Sequence, residues 1–252
     1  MTIFQPNHRI FHLPTWIIFW LVLPTMAGTL KDDFNDGNLD GWTHECVHAD
    51  KQLNRHPCKT RVGDSIWQVE KGVLTVKVGE LDEILFITVG EENWKNYTVS
   101  IRTRIVKHQP FHCWGESAGL VLRVSSPLDF YMFGIGTVCL RPKTAQAYYL
   151  KEIFGIKHLE IARFEWEIGK WYKLKIEAKG NQFKYYIDGK LVINYTNGSH
   201  STGKIGIWGG VHSTTYHYDD FTVTGGQVSD LNLSVSPQSR LATVWAQVKS
   251  VD

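Results

Sequence analysis

The chain has 252 residues and a formal net charge of +2, from 27 basic and 25 acidic side chains. It shows no dense Lys/Arg stripe, so there is no electrostatic case for a nucleic-acid partner. With 43% hydrophobic and 21% charged residues it is globular rather than disordered, and its 10 Trp, 10 Tyr and 12 Phe are side chains that suit both β-sheets and sugar rings.

Arg9 is the only formal charge in the first 27 residues. The apolar run Trp16 to Leu23 follows, then Pro24-Thr25-Met26-Ala27, with small residues where a signal peptidase reads. This predicts a signal peptide over residues 1–27, cleaved after Ala27, and a mature chain that is secreted, periplasmic or at the cell surface. An uncleaved anchor is the rival reading. The run is shorter than the ~20 apolar residues that a span needs, and the mature chain is expected to have no stable membrane span.

Residues 32–42 read as a short strand followed by Asp/Asn/Gly turn chemistry, and residues 43–65, polar and His-rich, as a long loop. This loop holds Cys46 and Cys58; Cys113 and Cys139 lie further on. An even cysteine count in an exported chain predicts two disulfides. Three pairings are possible, and Cys46–Cys58 with Cys113–Cys139 is favoured. A zinc site built from His44, Cys46, His48, His56 and Cys58 competes, but no C-x-x-C pair occurs and the spacing matches no familiar zinc pattern.

From residue 66 strands follow in series. Ile66–Glu70 and Val73–Val78 flank the Lys71-Gly72 turn, and Ile84–Val89 is an apolar run. Tyr97–Val106 alternates, with Val99, Ile101, Thr103 and Ile105 on one face and Ser100, Arg102 and Arg104 on the other. Gly119–Val124 and Asp129–Gly136 pair around Ser125-Ser126-Pro127. More strands are predicted at 145–152, 157–165, 171–179, 182–187, 190–195, 203–209 and 217–224. Many short strands without a long amphipathic helix predict an all-β, two-sheet antiparallel sandwich over residues 28–225. Residues 226–252 form a C-terminal tail in which Leu241, Val244, Trp245 and Val248 recur at helical spacing. The tail could dock on the domain or on a protein partner, or be disordered.

The stretch Trp166 to Gly225, with Trp171-Tyr172, Asp188-Gly189, Gly203-Lys-Ile-Gly206-Ile-Trp208 and Tyr218-Asp219-Asp220-Phe221, resembles laminin-G-like and 3-keto-disaccharide hydrolase domains of the concanavalin A-like lectin/glucanase superfamily. Asp33-Phe34-Asn-Asp36-Gly37, Gly119-Leu-Val-Leu-Arg123 and Asp129-Phe-Tyr131 match the same pattern, so the resemblance covers about residues 32–225. It implies a jelly roll whose first and last strands pair, with sugar held on a concave face. It also implies one structural calcium ion where those strands meet, for which Asp33, Asp36, Asp219 and Asp220 are candidates.

Two facing carboxylates would mark a glycosidase. Glu80 with Asp82 lacks a third acid, because residue 84 is Ile; Glu165 with Glu167 precedes a Gly-Lys turn. Glu116, Asp129 and Glu152 are further acids that could serve, each with an equally good reading as a surface or turn residue, and no catalytic residue is assigned. Sugar binding is better supported, through planar hydrogen-bonding groups and rings: Arg102, Arg104, Trp114, Arg123, Tyr131, Trp208 and His212. The expected function is carbohydrate binding. A keto-sugar glycoside hydrolase and an adhesion module are the alternatives.

Overall fold

The computed structural model describes residues 27–49, 55–57, 66–78, 83–107, 117–138, 144–151, 158–210 and 214–234. Residues 1–26 of the expected signal peptide, and the helically spaced residues of the tail, lie outside them.

Among the described residues the elements are β1 (Gly28–Asp32), β2 (Thr43–Ala49), β3 (Arg55–Pro57), β4 (Ile66–Glu70), β5 (Val73–Lys77), β6 (Glu83–Val89), β7 (Tyr97–Lys107), β8 (Ser117–Ser126) and β9 (Asp129–Val138). They continue with β10 (Thr144–Lys151), β11 (His158–Arg163), β12 (Tyr172–Lys179), β13 (Gln182–Ile187), β14 (Lys190–Thr196), β15 (Lys204–Gly209), β16 (Thr215–Gly225) and β17 (Leu231–Asn232). They make two sheets. The first runs β14-β13-β12-β7-β16-β1-β17, with β5 also paired to β16 and β4 to β5; the second runs β11-β10-β9-β8-β15-β6-β2-β3. All pairings are antiparallel except β1 with β17. This is the two-sheet antiparallel sandwich that the strand pattern predicts, in the jelly-roll form that the resemblance implies.

The first sheet is half buried. Along β7 the residues Tyr97, Val99, Ile101, Thr103 and Ile105 turn inward, and Thr98, Ser100, Arg102, Arg104 and Val106 turn outward. On β12, Tyr172, Leu174, Ile176 and Ala178 continue the inner layer, and on β13 Phe183, Tyr185 and Ile187 do so. Opposite them stand Ala118, Leu120 and Leu122 of β8, Tyr131, Phe133 and Ile135 of β9, and Ile205 and Ile207 of β15, all in one core cluster. Each fully buried aliphatic or aromatic side chain there contributes about 1.5–3 kcal/mol. Over β6, β8, β9 and β15 the second sheet buries apolar side chains on both faces. Val47, Phe86, Val121, Val124, Phe130, Met132 and Trp208 form a separate buried cluster.

β1 pairs with β16 from Gly28↔Gly225 to Asp32↔Phe221, so the first strand closes on the last long one. Asp32 then locks the corner. Its Oδ1 accepts from the Phe34 N–H at 2.8 Å and from Ser234 Oγ at 3.2 Å, and its Oδ2 accepts from Trp42 Nε1 at 2.7 Å. Burial pushes this carboxyl up from its ordinary value, against the pull of those three donors.

One expectation is corrected. The stretch 43–65 is not loop throughout, since it contains β2 and β3, with β2 paired to β6 from Thr43↔Thr88 to His48↔Glu83. The pairing there is main-chain work near a sheet edge and needs little apolar alternation in the sequence. Packing also continues past residue 225: Val228 and Leu233 are buried in the main core, and the Leu233 N–H donates to the Lys31 carbonyl at 2.8 Å.

Candidate functional site

β16 carries the site because it serves three partners. One edge is taken by β7. Along the other, β5 pairs with Thr215–Tyr218 and β1 with Phe221–Gly225. Between those two partners the register slips over Asp219 and Asp220, and Asp220 adopts a left-handed φ of 53°. The slip lets Tyr218 and Phe221 both point inward and leaves Asp219 and Asp220 outside.

On the outer face of the first sheet, register then brings distant residues together. Arg104 lies opposite His217, and Arg102 opposite Asp219 and beside Lys173. Trp171 immediately precedes β12. Its partly exposed ring lies 4.9 Å from the Arg102 guanidinium carbon, 4.7 Å from that of Arg104 and 6.5 Å from the His217 ring. Cations over an indole face are held by the ring quadrupole, so the three side chains form one assembly.

Charges on this face are unequally met. Arg102 Nη1 reaches Asp220 Oδ2 at 3.1 Å and Asp219 Oδ2 at 3.7 Å. Arg104 donates through Nε to His217 Nδ1 at 3.1 Å, with Nη2 at 2.9 Å from the same nitrogen. Burial holds His217 below its ordinary pKa of 6.5, and the adjacent Arg104 charge adds to the effect. The ring is therefore neutral at pH 7 with an Nδ1 lone pair aimed at the guanidinium. Burial also raises the Asp219 carboxyl, with the Asp220 and Asp33 charges adding. Chemically the face offers an aromatic plane bordered by planar donors and carboxylate acceptors, the combination that holds sugar rings.

Of the residues singled out from sequence, Arg102, Arg104, Asp219 and Asp220 meet here. Trp171 and His217 were not singled out; the only sequence signal was an aromatic next to one strand and a histidine in another. Trp114 and His212 lie outside the described residues. Arg123 is fully buried. A left-handed φ of 53° in a bulge of β8 turns it into the sandwich, where its guanidinium stands over Phe183 at 4.6 Å and donates to the carbonyls of His200, Lys95 and Gly180. Tyr131 is also buried, facing the core. Trp208 is 2% exposed in the second apolar cluster, with Nε1 donating to the Phe133 carbonyl at 3.1 Å.

Tyr131 belongs to a second polar group. Its hydroxyl donates to Asn197 Oδ1 at 2.8 Å and its ring meets His200 edge-on at 5.3 Å, while His200 Nε2 stands 2.9 Å from Asp129 Oδ1. Among the carboxylates weighed for catalysis, Glu167 binds Lys170 at 2.6 Å on an exposed turn and Glu165 is exposed. Glu80, Asp82, Glu116 and Glu152 lie outside the described residues.

The aspartates at the strand junction are engaged in turns. Asp33 accepts from Asn35 N at 3.1 Å, Asp36 Oδ1 from Asn38 N at 3.3 Å, and Asp219 Oδ1 from Asp220 N at 2.8 Å. Asp36 Oδ2 is buried without a hydrogen-bond partner. Among the described residues no three His, Cys, Asp or Glu side chains form a group that could hold a metal ion, and no helix is long and apolar enough to cross a membrane. Cys46 lies on β2; Cys58, Cys113 and Cys139 fall outside the described residues.

The family model of the 3-keto-alpha-glucoside-1,2-lyase-like domain matches residues 29–224. Among solved structures, the GH43 protein BlXynB from Bacillus licheniformis is similar at a TM-score of 0.52 and 15% identity, over 77% of this chain and 39% of that one, so the chain spans about two fifths of its length. SCLam, a non-specific endo-beta-1,3(4)-glucanase from family GH16, gives 0.50 at 13% identity over 82% and 94%. A Bacillus subtilis protein of unknown function with a galectin-like fold gives 0.50 at 13% over 73% and 90%. At these identities the likeness is one of fold. A search of curated proteins found no match.

Proposed function

Because the chain belongs to the 3-keto-alpha-glucoside-1,2-lyase-like domain family, we propose that it is a carbohydrate-directed domain that binds glycan. The supporting observation is the Trp171 ring, partly exposed between sheet strands, with the guanidinia of Arg102 and Arg104 at 4.9 and 4.7 Å. Sugar would stack along this aromatic and exchange hydrogen bonds with Arg102, Asp219 and Asp220. The test is a glycan array followed by calorimetry on wild type and Trp171→Ala. Loss of a stacking ring should weaken binding by about tenfold or more. Unchanged affinity in Trp171→Ala would remove the site.

A second reading follows the family's name: breakdown of an oxidised disaccharide. The Asp129–His200–Tyr131 group favours it, since it gathers a carboxylate, an imidazole and a phenol, side chains of the types that transfer protons in hydrolysis. Released sugar from keto-disaccharides, absent with plain ones, would move the assignment to enzyme. An adhesion role would need a protein partner; residues 226–234 pack on the domain itself, which leaves residues 235–252 as the contact to delete in a pull-down.

We further propose export, on the leader-like first 27 residues, to be checked by N-terminal sequencing of the mature protein. One structural calcium ion belongs to the same proposal; since no three acidic side chains gather among the described residues, it would take Asp36 Oδ2, which has no hydrogen-bond partner, with main-chain carbonyls and water. A rise in melting temperature with calcium over EDTA, lost in Asp36→Asn, checks it.

A further inference from the structure

We propose that the Trp171 face selects sugars bearing a negatively charged substituent, a ring carboxylate or a sulfate ester, and that Arg104 is the group that reads it. This rests on the glycan-binding reading above and adds a substrate class to it.

The two arginines differ in what answers their charge. Arg102 has two carboxylates, Asp220 at 3.1 Å and Asp219 at 3.7 Å. Arg104 meets no carboxylate among the described residues. Its Nε and Nη2 are directed at His217 Nδ1, a neutral acceptor that satisfies a hydrogen bond without cancelling charge. A guanidinium has five N–H donors in a planar fork, so donors remain after His217 is served. The Trp171 ring, 4.7 Å from the guanidinium carbon, holds the group at this face. Both Arg104 and His217 are only partly exposed, so the charge is incompletely screened by water.

The surroundings do not neutralise it. Lys77 beside His217 is taken by Glu70 at 3.5 Å, and Lys175 further along β12 by Glu177 at 2.7 Å. Lys173, opposite Arg102 in the register, is exposed. A sugar presenting only hydroxyls would leave the Arg104 charge unanswered. One presenting a carboxylate or sulfate would give it a charge-assisted pair while its ring stacks on the indole, and such bonds are about twice as strong as neutral ones.

The test uses the full chain and three probes of equal length: an oligogalacturonate, a sulfated oligogalactan and the uncharged oligogalactan, titrated at about 50 mM and about 150 mM salt. Wild type is expected to favour at least one charged probe over the uncharged one by about tenfold or more, with the margin shrinking at the higher salt. Whether the carboxylate or the sulfate probe leads identifies the natural substituent. In Arg104→Gln the preference for charged over uncharged probe should vanish; Arg104→Lys, a point charge without the fork, should restore part of it. Equal affinity for charged and uncharged probes in wild type, or a preference that survives Arg104→Gln, overturns the inference and leaves glycan binding intact. Binding of no probe, or affinities that Trp171→Ala leaves unchanged for all three, overturns the glycan-binding reading at this face and the inference with it.

Discussion

Arg123 Nη1 donates to the main-chain carbonyl of His200 at 2.6 Å, across 77 positions of sequence, and so ties the bulge of β8 to the loop before β15. The same guanidinium also reaches Lys95 and Gly180 carbonyls over the Phe183 ring. Arg123→Met keeps much of the stem volume but abandons three part-buried carbonyl acceptors. The expected loss is about 3 kcal/mol in denaturant unfolding. Arg123→Lys should recover little, because one ammonium cannot span three carbonyls. A variant with wild-type stability would remove the structural role assigned to this residue.

Gly119 and Gly134 face each other across β8 and β9. A Cβ on Gly119 would fall 1.9 Å from the Phe133 carbonyl oxygen, so the two strands cannot keep their approach in Gly119→Ala. We expect a loss of about 3 kcal/mol. Gly189→Ala is the control. It sits in a turn at φ +79° with nothing within 4 Å of the added carbon, and should cost only backbone strain of about 1–2 kcal/mol. Thermal melts of the two variants measure the gap between contact and conformation.

His217 makes stability depend on pH. Its folded pKa is below the ordinary 6.5, so between those two values the unfolded chain binds the extra proton. The contribution is therefore fully present above about pH 6.5 and is lost as pH falls through the folded value. The groups facing the ring are Arg104 and Trp171, with Lys77 and Glu70 close by. Unfolding free energies measured from pH 7.5 to 5 should fall less steeply in His217→Gln. Proton NMR should place the His217 midpoint below that of an exposed histidine; a midpoint at or above 6.5 would refute this account.

Cysteine pairing can be checked against register. β2 and β3 pair Val47↔Pro57, His48↔His56 and Ala49↔Arg55. Cys46 directly precedes the first of these pairs, and Cys58 lies outside the described residues. Non-reducing peptide maps are expected to give Cys46–Cys58 and, by elimination, Cys113–Cys139. A peptide joining Cys46 to Cys113 or Cys139 would exclude this arrangement.

The strand series from residue 66 onward was legible because one buried face per strand writes period-two alternation directly into the sequence, as in β7 and β12. The β2–β3 hairpin was not. His44, Cys46 and His48 alternate with Glu45 and Val47, which reads as polar loop until β6 supplies the pairing. Arg102 and Arg104 were legible as charges opposite an apolar set. Trp171 and His217 were not, since their meeting depends on the order β12-β7-β16, which no single strand records. Arg123 looked equivalent to Arg102, opposite the apolar set of its strand; one left-handed residue reversed its direction, and alternation carries no mark of a bulge.

β17 is only two residues long, yet it lies along the flank of β1 that β16 leaves open, with Leu30↔Leu231 and Lys31↔Asn232. Without it, β1 would present a bare row of main-chain donors and acceptors, a template on which another copy could add a strand. Ending the chain at residue 225 therefore risks self-association rather than merely trimming a tail. In that sense residues 231–234 act as a selvedge, the finished border that keeps the woven sheet from taking up foreign thread.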